Sequence, residues 1–192
     1  RGVERGQLTG QSLAIDASKP APCASTELEN THVRFPPMGT ANWAEVEPET
    51  SAWLQAHHGL PSLVLWGPGE EAAADEVVAL SSGAATKAPE TRLRDLLALS
   101  RAARLFVSGD TGPTHIAAAV GAPVVALFGP TDPARNGPWD PRDRVVSRYA
   151  ACECHYARTC RRASDRWCLG TMPVSDVTAA IDARLREPHG HA

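Results

Sequence analysis

The sequence predicts an α/β protein in which a doubly wound parallel sheet carries helices on both faces. Short, uninterrupted apolar runs, such as 62–66 (SLVLW) and 124–128 (VVALF), alternate with segments of helical periodicity. Strands that are apolar on both sides need cover on both sides, as in parallel α/β sheets. Polar loops rich in Gly and Pro follow two successive strands, at the sheet edge where such folds bind ligands.

Each element is predicted from its own pattern of apolar residues and breakers. In chain order, these are a short apolar run at 32–35, a helix over about 49–57 ending at Gly59, a strand at 62–66, a helix at 71–80, a helix at 91–102, a strand at 104–108, a helix at 113–120, a strand at 124–128 and a helix at about 174–185. The expected inward residues are Val77, Val78 and Leu80 of the second helix, Leu93, Leu96, Leu97 and Ser100 of the third, and Val174, Val177, Ala180, Ile181 and Leu185 of the last.

The length of 192 residues gives room for one domain core. We expect this domain to cover 32–187, followed by a polar tail at 188–192. Residues 1–31 show no clear periodicity and are interpreted as a linker or the remnant of an upstream domain. Because the chain does not begin with Met, we expect a fragment or a processed piece.

Charge and cysteine usage narrow the classes of function. A net charge of −3 disfavours a nucleic-acid binder, which normally carries a basic stripe. The sequence has no apolar run long enough to span a membrane and no secretory signal. An odd number of cysteines, five, without an export signal favours reduced thiols in a cytoplasm.

The segment 108–115 (SGDTGPTH) carries the densest chemical signal. Pro113 suits the first position of a helix, which would make Gly112 the N-cap. The N–H groups of Thr114 and His115 would then be free at the positive end of the helix dipole and suit a diphosphate. Asp110 would repel phosphate and is better suited to accept hydrogen bonds from sugar hydroxyls. The alternative is that these side chains only cap a helix.

The longer segment 108–139 (SGDTGPTHIAAAVGAPVVALFGPTDPARNGPW) resembles the hallmark segment of glycosyltransferase family 9, which includes the heptosyltransferases of the lipopolysaccharide core. The flanking stretches LRDLLALSRAARLFVS and CECHYARTC also resemble the family, and the match is good over 60–185 and poor over 32–59. The resemblance implies the C-terminal, Rossmann-like donor-binding half of a GT-B enzyme. It also implies inverting, metal-independent transfer without a cofactor, with the general base in an N-terminal acceptor domain.

The resemblance also assigns roles to individual residues. It implies that Asp110 contacts the donor sugar and that Thr111, Gly112 and His115 hold the diphosphate, while Glu71 lies near the ribose. The alternative for Glu71, and for the less favoured Glu70, is a first-turn charge that complements the helix dipole. The full set of expected donor-binding residues is Asp110, Thr111, Gly112, Thr114, His115, Glu71 and Thr40.

The chain departs from the family where a glycine-rich loop followed by K-x-W-P is usual. Here the stretch reads GTANWA, so Ala41 stands where the Lys would be. Losing this cation should weaken donor binding, because charge-assisted contacts are the strong ones. Arg34, Lys87 or Arg135 could replace it.

The cysteines cluster near the C-terminus, at Cys152, Cys154, Cys160 and Cys168. Four thiolates could hold zinc, but the spacing differs from common zinc ribbons, so reduced structural thiols are the favoured interpretation. Interleaved basic residues form either a solvated loop or a surface for anionic acceptor or membrane headgroups: Arg158, Arg161, Arg162 and Arg166. Trp139, which ends the signature segment, is the tryptophan worth testing as a sugar contact.

We therefore expect a glycosyltransferase that moves a sugar from a nucleotide-diphosphate donor, such as ADP-heptose, to a lipopolysaccharide core or lipid A-type acceptor. Its place of action would be the cytoplasm, at the inner face of the bacterial inner membrane, with peripheral membrane contact. Without the acceptor domain, this piece is expected to be inactive. The alternatives are a non-catalytic nucleotide-sugar-binding module and a zinc-stabilised structural domain.

Overall fold

The computed structural model describes residues 4–8, 11–15, 32–35, 43–157, 160–161 and 167–188, with side chains from Pro48 onward except that of Trp167. Two strands near the N-terminus, β1 (Glu4–Leu8) and β2 (Gln11–Ile15), pair antiparallel. The sequence predicts no element there, because such short strands of mixed residues show no clear period. The proposed boundary at residue 31 stays a prediction.

The remaining strands form a six-stranded, entirely parallel sheet. They are β3 (His32–Phe35), β4 (Ser62–Val64), β5 (Ala85–Lys87), β6 (Leu105–Gly109), β7 (Val124–Phe128) and β8 (Arg144–Ser147). Their order across the sheet is β5-β4-β3-β6-β7-β8. This is the strand order of a doubly wound dinucleotide-binding fold, with a switch point between β3 and β6. The predicted fold class is confirmed.

Helices connect the strands: α1 (Trp43–His58), α2 (Glu71–Leu80), α3 (Leu93–Ala102), α4 (Gly112–Ala119), α5 (Pro133–Asn136), α6 (Trp167–Gly170) and α7 (Val174–Arg186). α1 begins before Pro48, whereas the sequence placed its start just after that residue. It ends as predicted at Gly59, which adopts a φ of +64°. The amide of Leu60 donates to the Leu54 carbonyl at 3.3 Å, the hydrogen bond of a helix-ending glycine motif.

The two faces of the sheet bury different residues of the same strands. In β6, Leu105 and Val107 pack with residues of α1 and α7, while Phe106 packs on the opposite face with residues of α3 and α4. β7 divides in the same way, with Val125 and Leu127 on the first face and its other residues on the second. This alternation explains the uninterrupted apolar runs, since both faces are covered by helices.

Several inward predictions are confirmed and two are wrong. Val177 and Ile181 of α7 are fully buried, and Leu96 of α3 is in the core. Leu80 and Leu93, both expected to face inward, are more than half exposed. Each lies at a helix end, where the face toward the sheet is taken by other residues, such as Ala74 in α2.

Two strands of the sheet escaped prediction, and both lie at its edges. β5 has only one buried residue, Ala85, and β8 has only Val146. An edge strand has less surface to bury than a central one, so its sequence needs no continuous apolar run. Local pattern therefore reveals the central strands and misses the edges.

Candidate functional site

The candidate site lies at the switch point, where the carboxyl ends of two central strands meet. Phe35, the last residue of β3, pairs in register with Ser108 of β6. From β3 the chain continues to β4 on one side of the switch point. From β6 it continues to β7 on the other side. Diverging connections leave a crevice between them, which is the usual ligand position in open α/β sheets.

Asp110 follows β6 directly and carries the charge of the site. Its side chain is only 13% exposed. Oδ2 accepts a hydrogen bond from Nδ2 of Asn136 at 3.0 Å. Oδ1 lies 3.4 Å from Nε2 of His115, whose side chain is 52% exposed. The carboxylate is thus held between two elements while its histidine neighbour faces solvent.

The helix behind this carboxylate starts one residue earlier than the sequence suggested. Thr111 is the N-cap of α4 and Gly112 its first residue, so the prediction of Gly112 as N-cap is wrong. The amides of Thr114 and His115 donate to the Thr111 carbonyl at 3.1 and 3.4 Å and are therefore not free. Pro113 has no N–H. The amides of Thr111 and Gly112 have no partner among the described residues, and Gly112 is exposed.

The hydroxyl groups of this loop differ in availability. Thr114 is buried and donates to the Gly109 carbonyl at 2.5 Å, so its side chain braces the turn. Thr111 is half-buried, and its hydroxyl lies 3.4 to 3.5 Å from Ser108, Thr114 and the Gly109 carbonyl. Contacts this long are weak. The Thr111 hydroxyl can therefore turn toward a ligand, whereas that of Thr114 is already committed.

A second loop, between β7 and α5, reaches the same carboxylate. Asp132 is the N-cap of α5, and its side chain accepts from the Ala134 amide at 2.9 Å. The last residue of this helix is Asn136, the donor to Asp110. Asn136 was not among the predicted site residues, because nothing in the local pattern reveals a contact between residues 26 apart. The only available signal was that both loops follow neighbouring strands.

Glu71 begins α2, after β4, and β3 separates β4 from the strand that carries Asp110. Two strand spacings amount to about 10 Å along the edge of the sheet. Glu71 is exposed and accepts from Lys87 Nζ at 3.2 Å, and the same lysine lies 2.6 Å from Asp75. Glu70 instead accepts from the Gly67 amide at 2.8 Å. The ribose assignment of Glu71 stays a prediction.

The cations that could replace the missing lysine differ in whether they are already paired with carboxylates. Lys87 is paired with two carboxylates, and the hydrogen bond to Asp75 is the main cause of its raised pKa. Arg135 is exposed on α5, with its guanidinium 5.8 Å from the Tyr156 ring centre. Thr40, Ala41 and the Arg34 side chain lie outside the described residues. Arg135 is thus the described candidate that is not already in an ion pair.

The cysteine segment, which contains Cys152, Cys154, Cys160 and Cys168, packs against the second loop. Cys152, Cys154 and Cys168 are buried free thiols of the core, and Cys160 packs against them. The described residues contain no group of three or more His, Cys, Asp or Glu side chains placed to hold a metal ion. The Tyr156 amide donates to the Pro130 carbonyl at 3.0 Å. In this structure the thiols support the loop through packing.

The thiols should differ sharply in reactivity. Burial raises the pKa of the Cys168 thiol to about 11, and the adjacent Cys152 adds to the effect. Because the thiolate is the reactive form, we expect iodoacetamide at neutral pH to alkylate partly exposed Cys160 before buried Cys168. Mass spectrometry of peptides over a time course measures this. Labelling of Cys168 as fast as Cys160 in the folded protein would contradict the expectation, and unfolded protein is the control.

Trp139 and the basic residues among the cysteines were the other predicted ligand contacts. Trp139 is 89% exposed beyond α5. Arg161 is exposed, while Arg158, Arg162 and Arg166 of the basic patch lie outside the described residues. Within the part of the chain that the structure describes, no helix has the length and apolar composition needed to cross a bilayer.

Comparison with known proteins identifies relatives of this chain. The chain is 35% identical over 91 residues to a protein named lipopolysaccharide heptosyltransferase 3, from Escherichia coli. The match covers 47% of this chain and 26% of that protein, so the chain spans about a quarter of its relative.

Two solved structures share the fold. The chain is similar to E. coli heptosyltransferase WaaC with ADP, with a TM-score of 0.62 and 21% identity over 83% of this chain and 46% of that one. It is also similar to the same enzyme with ADP-2-deoxy-2-fluoro heptose, with a TM-score of 0.57 and 22% identity over 80% of this chain and 42% of that one. At these identities the likeness shows the fold.

The family assignment comes from a longer match. Residues 40–164, more than half of the chain, match the family described as glycosyltransferase family 9 (heptosyltransferase). This range includes both loops that meet at Asp110, and it confirms the resemblance identified in the sequence. The chain therefore belongs to glycosyltransferase family 9.

Proposed function

We propose that this chain supplies the donor-binding half of a heptosyltransferase-type glycosyltransferase and binds a nucleotide-diphosphate sugar such as ADP-heptose. The observation that carries the proposal is the Asp110 carboxylate, held at the switch point between His115 and Asn136. Support also comes from the relatives, which are named lipopolysaccharide heptosyltransferases, and from similar structures with ADP and an ADP-heptose analogue.

The proposed division of labour follows the chemistry of each group. Asp110 accepts hydrogen bonds from sugar hydroxyls, since an ionised carboxylate is a strong acceptor. The Gly112 amide, the Thr111 hydroxyl and His115 face the diphosphate at the positive end of α4. Thr114 acts by bracing the turn. Glu71 and Thr40 complete the proposed set, toward the ribose and the phosphates respectively.

The acceptor side of the proposal rests on family membership. The sugar would pass to a lipopolysaccharide core or lipid A-type acceptor, with the general base supplied by an acceptor-binding domain. Such an acceptor is anchored in a membrane, so we propose that transfer takes place at the cytoplasmic membrane face through peripheral contact. No metal or cofactor is needed for the proposed inverting transfer.

Titration calorimetry with ADP and with ADP-heptose tests the donor site. We expect saturable binding of both ligands. Asp110→Ala should weaken ADP-heptose about 10- to 100-fold, the range for a hydrogen bond to a charged group, and leave ADP almost unchanged because Asp110 contacts only the sugar. His115→Ala should weaken both ligands, because it faces the diphosphate.

Arg142→Ala is the matched control, because Arg142 pairs with Asp140 by a side-chain contact of 2.6 Å and takes no part in the proposed site. Two results would contradict the proposal. One is no saturable binding of either ligand in the millimolar range. The other is binding that neither Asp110→Ala nor His115→Ala alters.

A further inference from the structure

Asn136 contacts the Asp110 carboxylate from a different loop and has no role in the assignments made so far. Its Nδ2 donates to Asp110 Oδ2 at 3.0 Å, shorter than the 3.4 Å between His115 and the other oxygen. We propose that Asn136 is a positioning residue that fixes the Asp110 carboxylate for recognition of the donor's sugar hydroxyls. This inference rests on the proposed function.

The helix that carries Asn136 is a compact and well-defined turn. The amide of Asn136 donates to the Asp132 carbonyl at 3.1 Å, and that of Gly137 donates to the Pro133 carbonyl at 2.8 Å. A Cβ at Gly137 would lie 2.5 Å from the same Pro133 oxygen, so the turn closes too tightly for a larger residue. The backbone of Asn136 is therefore held in place before any ligand binds.

Contacts outside the Asp110 loop anchor the turn formed by α5. The Asp132 amide donates to the Tyr156 hydroxyl at 3.2 Å, and the Arg135 guanidinium lies over the Tyr156 ring. Tyr156 in turn donates its amide to the Pro130 carbonyl. The cysteine segment thereby fixes α5, and α5 fixes Asp110. The orientation of the carboxylate is therefore set in part by a contact from outside its own loop.

The chemistry of an amide suits this task. Nδ2 donates one hydrogen bond to Oδ2 without neutralising the carboxylate, so the charge remains available to sugar hydroxyls. A lysine or arginine at the same place would form an ion pair and compete with the sugar. His115 cannot orient the carboxylate equally well, because its contact is longer and its side chain is half exposed. Asn136 therefore orients Asp110, and the exposed His115 side chain, with its longer contact, can turn toward the phosphates.

Asn136→Asp tests the proposal with a side chain of the same shape. It replaces the donor with a second carboxylate beside the first, and two carboxylates at that separation cannot both ionise easily. At pH 8 we expect ADP-heptose to bind about tenfold more weakly or worse, the loss of one charge-assisted hydrogen bond, while ADP changes less than about threefold. Lowering the pH to about 5.5 should restore part of the affinity, because a shared proton again donates to Asp110.

Asn136→Ala is the comparison variant, since it loses the donor without adding a charge. Its affinity for ADP-heptose should fall about tenfold and should not recover at low pH relative to the unchanged protein. The other charged groups on the flanking helices, His115, Asp132 and Arg135, are present in all three proteins. Ratios of affinity between the proteins at each pH therefore remove the effects that all three proteins share. Asn136→Ser replaces any variant whose thermal unfolding shows that it does not fold.

The outcomes separate this inference from the proposed function. If the unchanged protein binds neither ADP nor ADP-heptose, the proposed function fails and the inference fails with it. If Asp110→Ala weakens ADP-heptose but both Asn136 variants bind it like the unchanged protein, the inference alone is overturned. Selective loss of ADP-heptose affinity with low-pH recovery only in Asn136→Asp supports it. If the folded Asn136 variants lose affinity for ADP and for ADP-heptose to the same extent, Asn136 has only a structural role. That result overturns the inference.

Discussion

Replacing Arg184 with alanine is expected to lower the free energy of unfolding by about 3–5 kcal/mol, the range for breaking a buried ion pair by removing one partner. Arg184 Nε donates to Asp143 Oδ1 at 2.8 Å, and both side chains are only 2% exposed. The same carboxylate oxygen accepts from the Val124 amide at 2.9 Å. One buried contact thus ties α7 to the start of β7, which ends at the candidate site.

The loss should depend on pH. Burial raises the pKa of Asp143, although the hydrogen bonds from Val124 and Arg184 act in the opposite direction. A carboxyl group whose pKa is higher in the folded than in the unfolded chain favours folding below its unfolded pKa, and this contribution is lost as the pH rises through the folded pKa. Without Arg184 the buried charge is costlier, so the deficit of the variant should shrink as the pH falls toward about 4.

Denaturant unfolding at several pH values measures this prediction. Arg142→Ala, which removes the partly exposed pair with Asp140, should cost less than about 1 kcal/mol. A combined Asp143→Leu and Arg184→Met variant should recover only part of the loss, because an apolar pair needs no compensating charge but leaves the Val124 amide without its acceptor. An Arg184→Ala protein as stable as the unchanged one at pH 7 would refute the assigned role of the pair.

Gly129→Ala is expected to lower the free energy of unfolding by about 1–3 kcal/mol, the range for overpacking a core. A Cβ at this position would lie 2.7 Å from Cγ of Leu169 and 3.0 Å from Sγ of Cys168. Both residues are buried, so neither can move aside freely. Gly129 therefore lets Cys168 and Leu169 pack directly against the loop that leads from β7 to α5, the helix of Asn136.

A double variant identifies the cause of the Gly129 effect. Leu169→Ala removes the two atoms nearest to the added Cβ, so Gly129→Ala should cost less in that background than alone, a coupling measurable by denaturant unfolding. Gly112→Ala is the matched glycine control, because its Cβ would meet nothing within 4 Å. Equal costs of Gly129→Ala with and without Leu169 would show that the clash is not the cause.

The sequence alone predicted the fold class, the central strands β6 and β7, and the position of the Asp110 loop. These features have local causes: continuous apolar runs between breakers, and a Pro-containing helix start after a strand. The resemblance to glycosyltransferase family 9 lies in this same continuous segment. It was confirmed by the family match over residues 40–164. The individual donor contacts that it implied stay predictions.

The tertiary structure decided what joins distant parts of the chain. Asn136 meets Asp110 across 26 positions, and Arg184 meets Asp143 across 41. No periodicity connects such residues, since their distance depends on strand order and on how helices pack over the sheet. The tertiary structure also determined that α4 begins at Gly112. In the folded turn the Thr111 carbonyl is the first acceptor of the helix, and the sequence pattern does not show this hydrogen bond. The sequence therefore located the carboxylate, and the packing of two loops at one sheet edge determined what holds it.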